Sequence, residues 1–161
     1  MLIRPARPED DDSIWTILEP ICASGEVFCV DRDGGRGAAF DYWFSGKGRR
    51  VFVAETEDGI LGTYYLRPNQ GGRGAHVANA GYATAPAAQG KGVARALLEH
   101  SLETARAAGF RAMQFNFVVA TNTRAIATWE AAGFAVVGRL PRAFAHPREG
   151  FVDALVMHRA L

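Results

Sequence analysis

Six consecutive residues, Gln89-Gly90-Lys91-Gly92-Val93-Ala94, carry the most specific chemistry in the chain. Glycines at 90 and 92 remove side chains where a following helix leaves its first N–H groups unpaired, and the helix dipole adds partial positive charge at the same spot. A helix start of this kind binds phosphate or pyrophosphate. Lys91 and Arg95, with Arg124 at the next expected helix start, are placed to add charge-assisted contacts. A plain glycine loop feeding a helix is the other use of the same residues. Spacing excludes two further phosphate motifs. A P-loop needs glycine where Ala85 stands and Ser or Thr where Gly92 stands. A dinucleotide turn needs glycine where Arg95 stands, with an acidic residue about 20 positions further on, and the window around 112–119 has none.

The elements that must position this turn alternate along a chain of 161 residues, 48% hydrophobic and 22% charged. That is ordinary globular composition, and one domain over 1–161 is expected. With 18 Lys plus Arg against 17 Asp plus Glu, the net charge of +1 offers no field to hold a polyanion, so nucleic acid is not an expected partner. Cys22 and Cys29 lack companion ligands at metal-binding spacing and read as reduced thiols, so no metal is expected. The start, Met1 to Pro5, runs into the acidic Glu9 to Asp12 without the apolar core of a signal peptide, and no later apolar run reaches membrane-span length. No membrane partner and a cytoplasmic location are the expectations.

Leu2 to Arg4 reads as a strand, and Asp10 to Asp12 as the acidic cap of a helix that ends near Pro20. A second helix is expected around Ala38 to Phe44. Val51 to Glu55 and Ile60 to Leu66 form a hairpin about Asp58-Gly59, whose residues readily take positive φ. His76 to Thr84 is a strand entering Pro86. Ala94, Leu97, Leu98, Ser101, Leu102 and Ala105 then recur at three- and four-residue steps on one helix face closed by Gly109. Met113 to Val119 is a strand, Thr123 to Ala132 a helix behind Thr121-Asn122. Two last strands, Ala135 to Leu140 and Phe151 to Arg159, flank a loop from Pro141 to Gly150. This alternation predicts an α/β (α+β mixed) fold with a mixed sheet.

The turn resembles the pyrophosphate signature of the GNAT superfamily of acyl-CoA-dependent N-acetyltransferases, Gln/Arg-x-x-Gly-x-Gly/Ala, at all three constrained positions, Gln89, Gly92 and Ala94. Pro86 before it, and the later Asn122, Ala125, Gly133 and Phe134, strengthen the likeness, and the element order fits over the whole chain. The resemblance implies a mostly antiparallel seven-stranded sheet with about four helices, splayed between strands 4 and 5. It implies acetyl-CoA as cofactor, with Gln89, Gly90, Lys91, Gly92, Val93 and Ala94 at the pyrophosphate and the strand backbone at Tyr82, Ala83 and Thr84 along the pantetheine. Asn122 would touch the pantetheine arm, and it reads equally as a helix N-cap. Two departures constrain the mechanism: the family's frequent Glu is Asn79, and the Tyr that protonates the departing thiolate is Trp129, which stays in the expected cofactor site. An amide accepts no proton at neutral pH, so Asn79 is expected to orient the amine or a relaying water, while a strand N–H near Ala83 or Thr84 polarises the carbonyl. Asn79 and Asn122 are the catalytic candidates. Glu26, His76, Tyr82 and His146 are alternative bases, His146 lying in the expected last loop.

The family's acceptor pocket implies Glu26, Phe28, Tyr42, Trp43, Tyr64 and Phe144 as substrate-binding candidates beside Asn79. Lys47, Arg49 and Arg50 would meet an acidic substrate or the cofactor's 3′-phosphate, unless they are a solvated loop. Asn79, Asn122, Trp129 and the ending from Arg139 to Ala154 look like the branch of fungal proline-analogue N-acetyltransferases. That implies a small amine acceptor such as an amino acid, imino acid or toxic analogue. Protein N-terminal or lysine acetylation and a non-catalytic acyl-CoA sensor remain the alternatives, and family likeness suggests a homodimer.

Overall fold

The computed structural model describes residues 1–161. Its elements are β1 (Leu2–Pro5), α1 (Asp11–Ser24), α2 (Gly35–Phe44), β2 (Arg50–Thr56), β3 (Gly59–Pro68), β4 (Val77–Thr84), α3 (Val93–Ala107), β5 (Ala112–Val119), α4 (Thr123–Ala131), β6 (Ala135–His146) and β7 (Gly150–Ala160). The seven strands form one sheet in the order β1-β2-β3-β4-β5-β7-β6. Only β4 and β5 run parallel. This is the mixed, mostly antiparallel arrangement expected from the sequence.

Alternation along the strands sends successive side chains to opposite faces. Phe52, Tyr64, Leu66 and Ala80 pack with Val93, Leu97, Leu98 and Leu102 of α3 on one face. Val53, Tyr65 and Ala83 pack with Ile14, Ile17 and Leu18 of α1 and with Ala39 and Trp43 of α2 on the other. The buried stripe of α3 is Val93, Leu97, Leu98, Ser101, Leu102 and Ala105, so Val93 takes the core position expected of Ala94. A Cβ on Gly62 would lie 2.8 Å from both Val93 Cγ1 and Leu97 Cδ1, which is how closely the start of α3 rests on β3.

Four local expectations change. Helix α1 continues past Pro20 to Ser24, closed by Gly25 at φ 65°. Pro20 and Thr16 are both exposed, so the carbonyl that loses its N–H partner faces water, and buried Leu18 and Cys22 hold the helix together across it. Asp10 does not cap α1. It is buried, accepts the Arg7 N–H at 2.7 Å and takes both terminal nitrogens of Arg4 at 2.7 and 2.9 Å. In the β2–β3 turn, positive φ falls on Gly59 alone, at 98°, and a bulge follows in the ladder after Ala54. Strand β6 runs on through Pro141 to His146, with an irregularity between Leu140 and Phe144. There Arg142 takes φ 51°, its N–H donating to Asp153 Oδ1 at 2.9 Å while Arg139 pairs with Asp153 Oδ2 at 2.7 Å. A proline is tolerated at such a bulge on an edge strand, so Pro141 does not end it.

Candidate active site

Strands β4 and β5 pair only at Val77–Ala112 and Ala78–Met113, then diverge. Bonds from Asn69 N–H to Val77 C=O and from Ala85 N–H to Leu61 C=O show that the odd-numbered residues of β4 face β3. Alternation therefore turns the peptide groups of Ala80, Tyr82 and Thr84 toward the opening, whereas the Ala83 peptide, paired opposite Thr63, is committed to β3. Asn79 stands at the fork. Its Nδ2 donates to the Gln114 carbonyl at 2.9 Å and its Oδ1 accepts from Arg67 Nε at 3.3 Å. The side-chain amide thus satisfies a carbonyl that the divergence deprives of a ladder partner. A bulge between Phe115 and Val118 bends β5, and Asn116 there donates to Asn69 Oδ1 at 2.6 Å.

On one side of the fork lies a cleft of about 570 Å³, bounded by Tyr82 to Pro86, Gln89, Gly90, Gly92, Val93, Ala94 and, from α4 and its cap, Asn122, Arg124 and Trp129. Gly90 and Gly92 take φ 74° and 72°, left-handed values that favour glycine, and a Cβ on either would meet nothing. The N–H groups of Gly90, Gly92, Val93, Ala94 and Arg95 have no backbone acceptor, while Lys91 N–H bonds to Ala88 C=O at 3.1 Å. Lys91 also departs from expectation in its side chain, which pairs with Asp58 at 2.8 Å in the β2–β3 turn and does not line the cleft. Open space with converging, unpaired peptide donors fits a pyrophosphate.

On the other side is a cavity of about 360 Å³, which shares Tyr82, Asn122, Ala125 and Trp129 with the cleft. Of the substrate-binding candidates, Phe28, Tyr42 and Asn79 line it. Tyr64 does not. It is fully buried on the α3 face, its hydroxyl 2.8 Å from His100 Nδ1, and its neighbour Tyr65 lines the cavity in its place. The Tyr65 ring crosses Gly81, where a Cβ would come within 2.5 Å of it. Arg49, which the sequence offers to an acidic substrate or the 3′-phosphate, lines it too, and Arg67, Asn116 and Phe117 are further lining residues without a sequence assignment. Trp43 is core, donating to Thr63 Oγ1 at 3.2 Å. Phe144 lies outside the cavity and packs edge-on against Phe117. Glu26 and His146 border a smaller third cavity of about 170 Å³, adjoining at Val27 and Asn122. His146 belongs to β6 and is buried, and its Nδ1 accepts the N–H groups of Arg148 and Glu149, both at 3.2 Å. Asn122 lines all three cavities while its Oδ1 accepts Ala125 N–H at 3.3 Å, so it is a helix cap as well.

The family model of the acetyltransferase (GNAT) family matches residues 13–134. The chain belongs to the GNAT family. A GCN5-related N-acetyltransferase from Kribbella flavida is 41% identical, with 99% of this chain and 97% of that one covered and a TM-score of 0.91. N-acetyltransferase aca1 of Schizosaccharomyces pombe is 37% identical over 98 residues, 60% of this chain and 47% of that protein, so the match spans about half of its length. The fold is also that of yncA from Salmonella typhimurium, solved with its cofactor acetyl-CoA, at 23% identity, 100% and 94% coverage and a TM-score of 0.83. Acetyl transfer is the activity for which the GNAT family is named. The turn from Gly90 to Ala94 lies within the matched residues and lines the larger cleft, with the free edge of β4 beside it.

The phenols and the thiol around the second cavity hold their protons. Burial, and next the neighbouring Tyr65, push the Tyr42 phenol well above its ordinary range. Burial does the same to Tyr82, against the opposing effect of its 2.6 Å hydrogen bond with Ser101, and raises the Cys29 thiol. No Asp or Glu lines the cavity. Glu26, next door, is held by Arg148 at 2.6 Å, and His76 is exposed and lines none of the three cavities.

Proposed function

We propose that the protein acetylates the amine of a small molecule, an amino acid, an imino acid or an analogue of one, by direct attack in a ternary complex. The observation that carries this reading is the junction of the two cavities at Tyr82, Asn122, Ala125 and Trp129, with only about 360 Å³ on the acceptor side. That volume is at the small end for ligand sites and suits a metabolite better than a peptide. The likeness of the C-terminal half to fungal proline-analogue N-acetyltransferases points the same way.

When bound, acetyl-CoA supplies a thioester that a neutral amine attacks with loss of the thiol. The residues of this chain position the reactants. Gly90, Gly92, Val93 and Ala94 offer their free N–H groups to the pyrophosphate, and the open edge of β4 at Tyr82 and Thr84 offers peptide groups to the pantetheine arm and to the acyl oxygen. Asn122 and Trp129 stand at the passage between donor and acceptor. Asn79 holds the amine or a water beside it, and the amine's proton leaves through water, because Tyr42, Tyr82 and Cys29 all retain their own protons at neutral pH. A panel of amino acids, imino acids, polyamines and peptides is incubated with acetyl-CoA and thiol release is followed. Turnover confined to small amines is expected. Turnover of peptide N-termini or lysines alone would replace this reading, and acetyl-CoA binding without any turnover would leave a sensor.

A further inference from the structure

The acceptor cavity contains two guanidinium groups and no carboxylate to neutralise them. Arg50 pairs with Leu66 and Arg67 with Asn79, so Arg49, Arg67 and Asn79 fall in one row across the sheet. Being odd-numbered, they share the face of Tyr65. Arg49 lies over the Tyr65 ring at 4.1 Å and donates through Nη1 to the Tyr42 carbonyl. Its Nε is buried without any hydrogen-bond partner, the one such side-chain atom in the protein. Arg67 spends only Nε, on Asn79. Neither arginine enters an ion pair, although six other basic residues do.

We propose that Arg49 and Arg67 form a subsite for the carboxylate of the acceptor, which makes the preferred substrate a small amine carrying its own negative charge. Resting on the reading of this cavity as the acceptor site, the assignment names what selects the substrate there. Two cations drawn together out of water are costly alone, and a carboxylate offsets both their desolvation and their mutual repulsion. The planar guanidinium fork matches carboxylate oxygens in a way no polyamine or lysine side chain can use. With the carboxylate held at this row, the amine is directed to the passage at Asn122 and Trp129.

The protein amino acids are compared with their carboxamides and with putrescine in the wild-type protein, then in Arg67→Met, Arg67→Lys and Arg49→Met. A carboxamide lowers the amine's basicity, so chemistry alone favours it, and a preference for the acid reports binding. The expected kcat/KM ratio is about 10- to 100-fold in favour of the acid, lost in Arg67→Met, partly kept in Arg67→Lys, with acetyl-CoA affinity unchanged as the control for folding. Equal turnover of acids and carboxamides by the wild-type protein overturns the inference and leaves acetyl transfer standing. A preference that survives both methionine variants overturns the assignment to these arginines. If acetyl-CoA binds but no amine is acetylated, the transferase reading fails instead. The subsite is then decided by titrating N-acetyl amino acids and their carboxamides: acid-selective binding that Arg67→Met abolishes supports it, and indifference overturns it.

Discussion

Asn79 shows how one side chain can brace the sheet and face a cavity at once. It joins Arg67 of β3 to the Gln114 carbonyl of β5 at the point where β4 and β5 part, and it borders the proposed acceptor cavity. Asn79→Ala removes both bonds and leaves a carbonyl of β5 without its donor, a loss of about 1 to 3 kcal/mol measurable as a shift in urea midpoint. We expect kcat/KM for the acceptor to fall at least about tenfold while acetyl-CoA affinity holds. Unchanged kcat and acceptor KM would show that the amide only braces the fork. The position itself was legible from its spacing to Gln89; its partners were not, because Arg67 and Gln114 lie on other strands. The exchange of Tyr64 for Tyr65 has a related cause. From Leu61 to Leu66 strand β3 is buried on both faces, so no polar alternation marks which tyrosine faces the cavity.

At the level of elements, the proposed donor site depends on how closely α3 rests on the sheet. Its first turn presents the free N–H groups, and Val93 and Leu97 seat that turn against Gly62. Val93 is β-branched and stiff, so a methyl group at 62 must displace the helix start itself. Gly62→Ala is expected to cost about 1 to 3 kcal/mol and to weaken acetyl-CoA binding several-fold, seen by calorimetry, with little change in acceptor KM. Intact acetyl-CoA affinity in a destabilised variant would separate the seating of α3 from pyrophosphate binding. The α3 stripe was readable because its period is local. The full length of β6 was not, since Pro141 signals a stop and the bulge that accommodates it is held by Asp153 of β7.

For the molecule as a whole, one buried ion pair ties the start of the chain to the sheet. Arg4 of β1 bonds both Asp10 ahead of α1 and Glu55 of β2. The hydrogen bond from Arg4 holds the Asp10 carboxyl below its ordinary pKa, outweighing burial, which acts the other way. A lowered folded pKa stabilises the folded state fully above the unfolded value of about 3.9. That contribution disappears as pH falls through the folded value. Wild type should therefore melt above Asp10→Asn from neutral pH down to about 5, with the gap closing in more acidic buffer, and a pH-independent gap would contradict the pairing. No helix is long and apolar enough to cross a membrane. The residues by themselves determined the glycine-rich turn and free helix start of the proposed donor end, because glycine conformation and an unpaired helix start depend on neighbours along the chain. Tertiary structure decided the make-up of the proposed acceptor end, since its arginines, tyrosines and asparagines come from separate strands, a helix and loops, and only sheet register and the packing of α2 on the sheet bring them into one cavity.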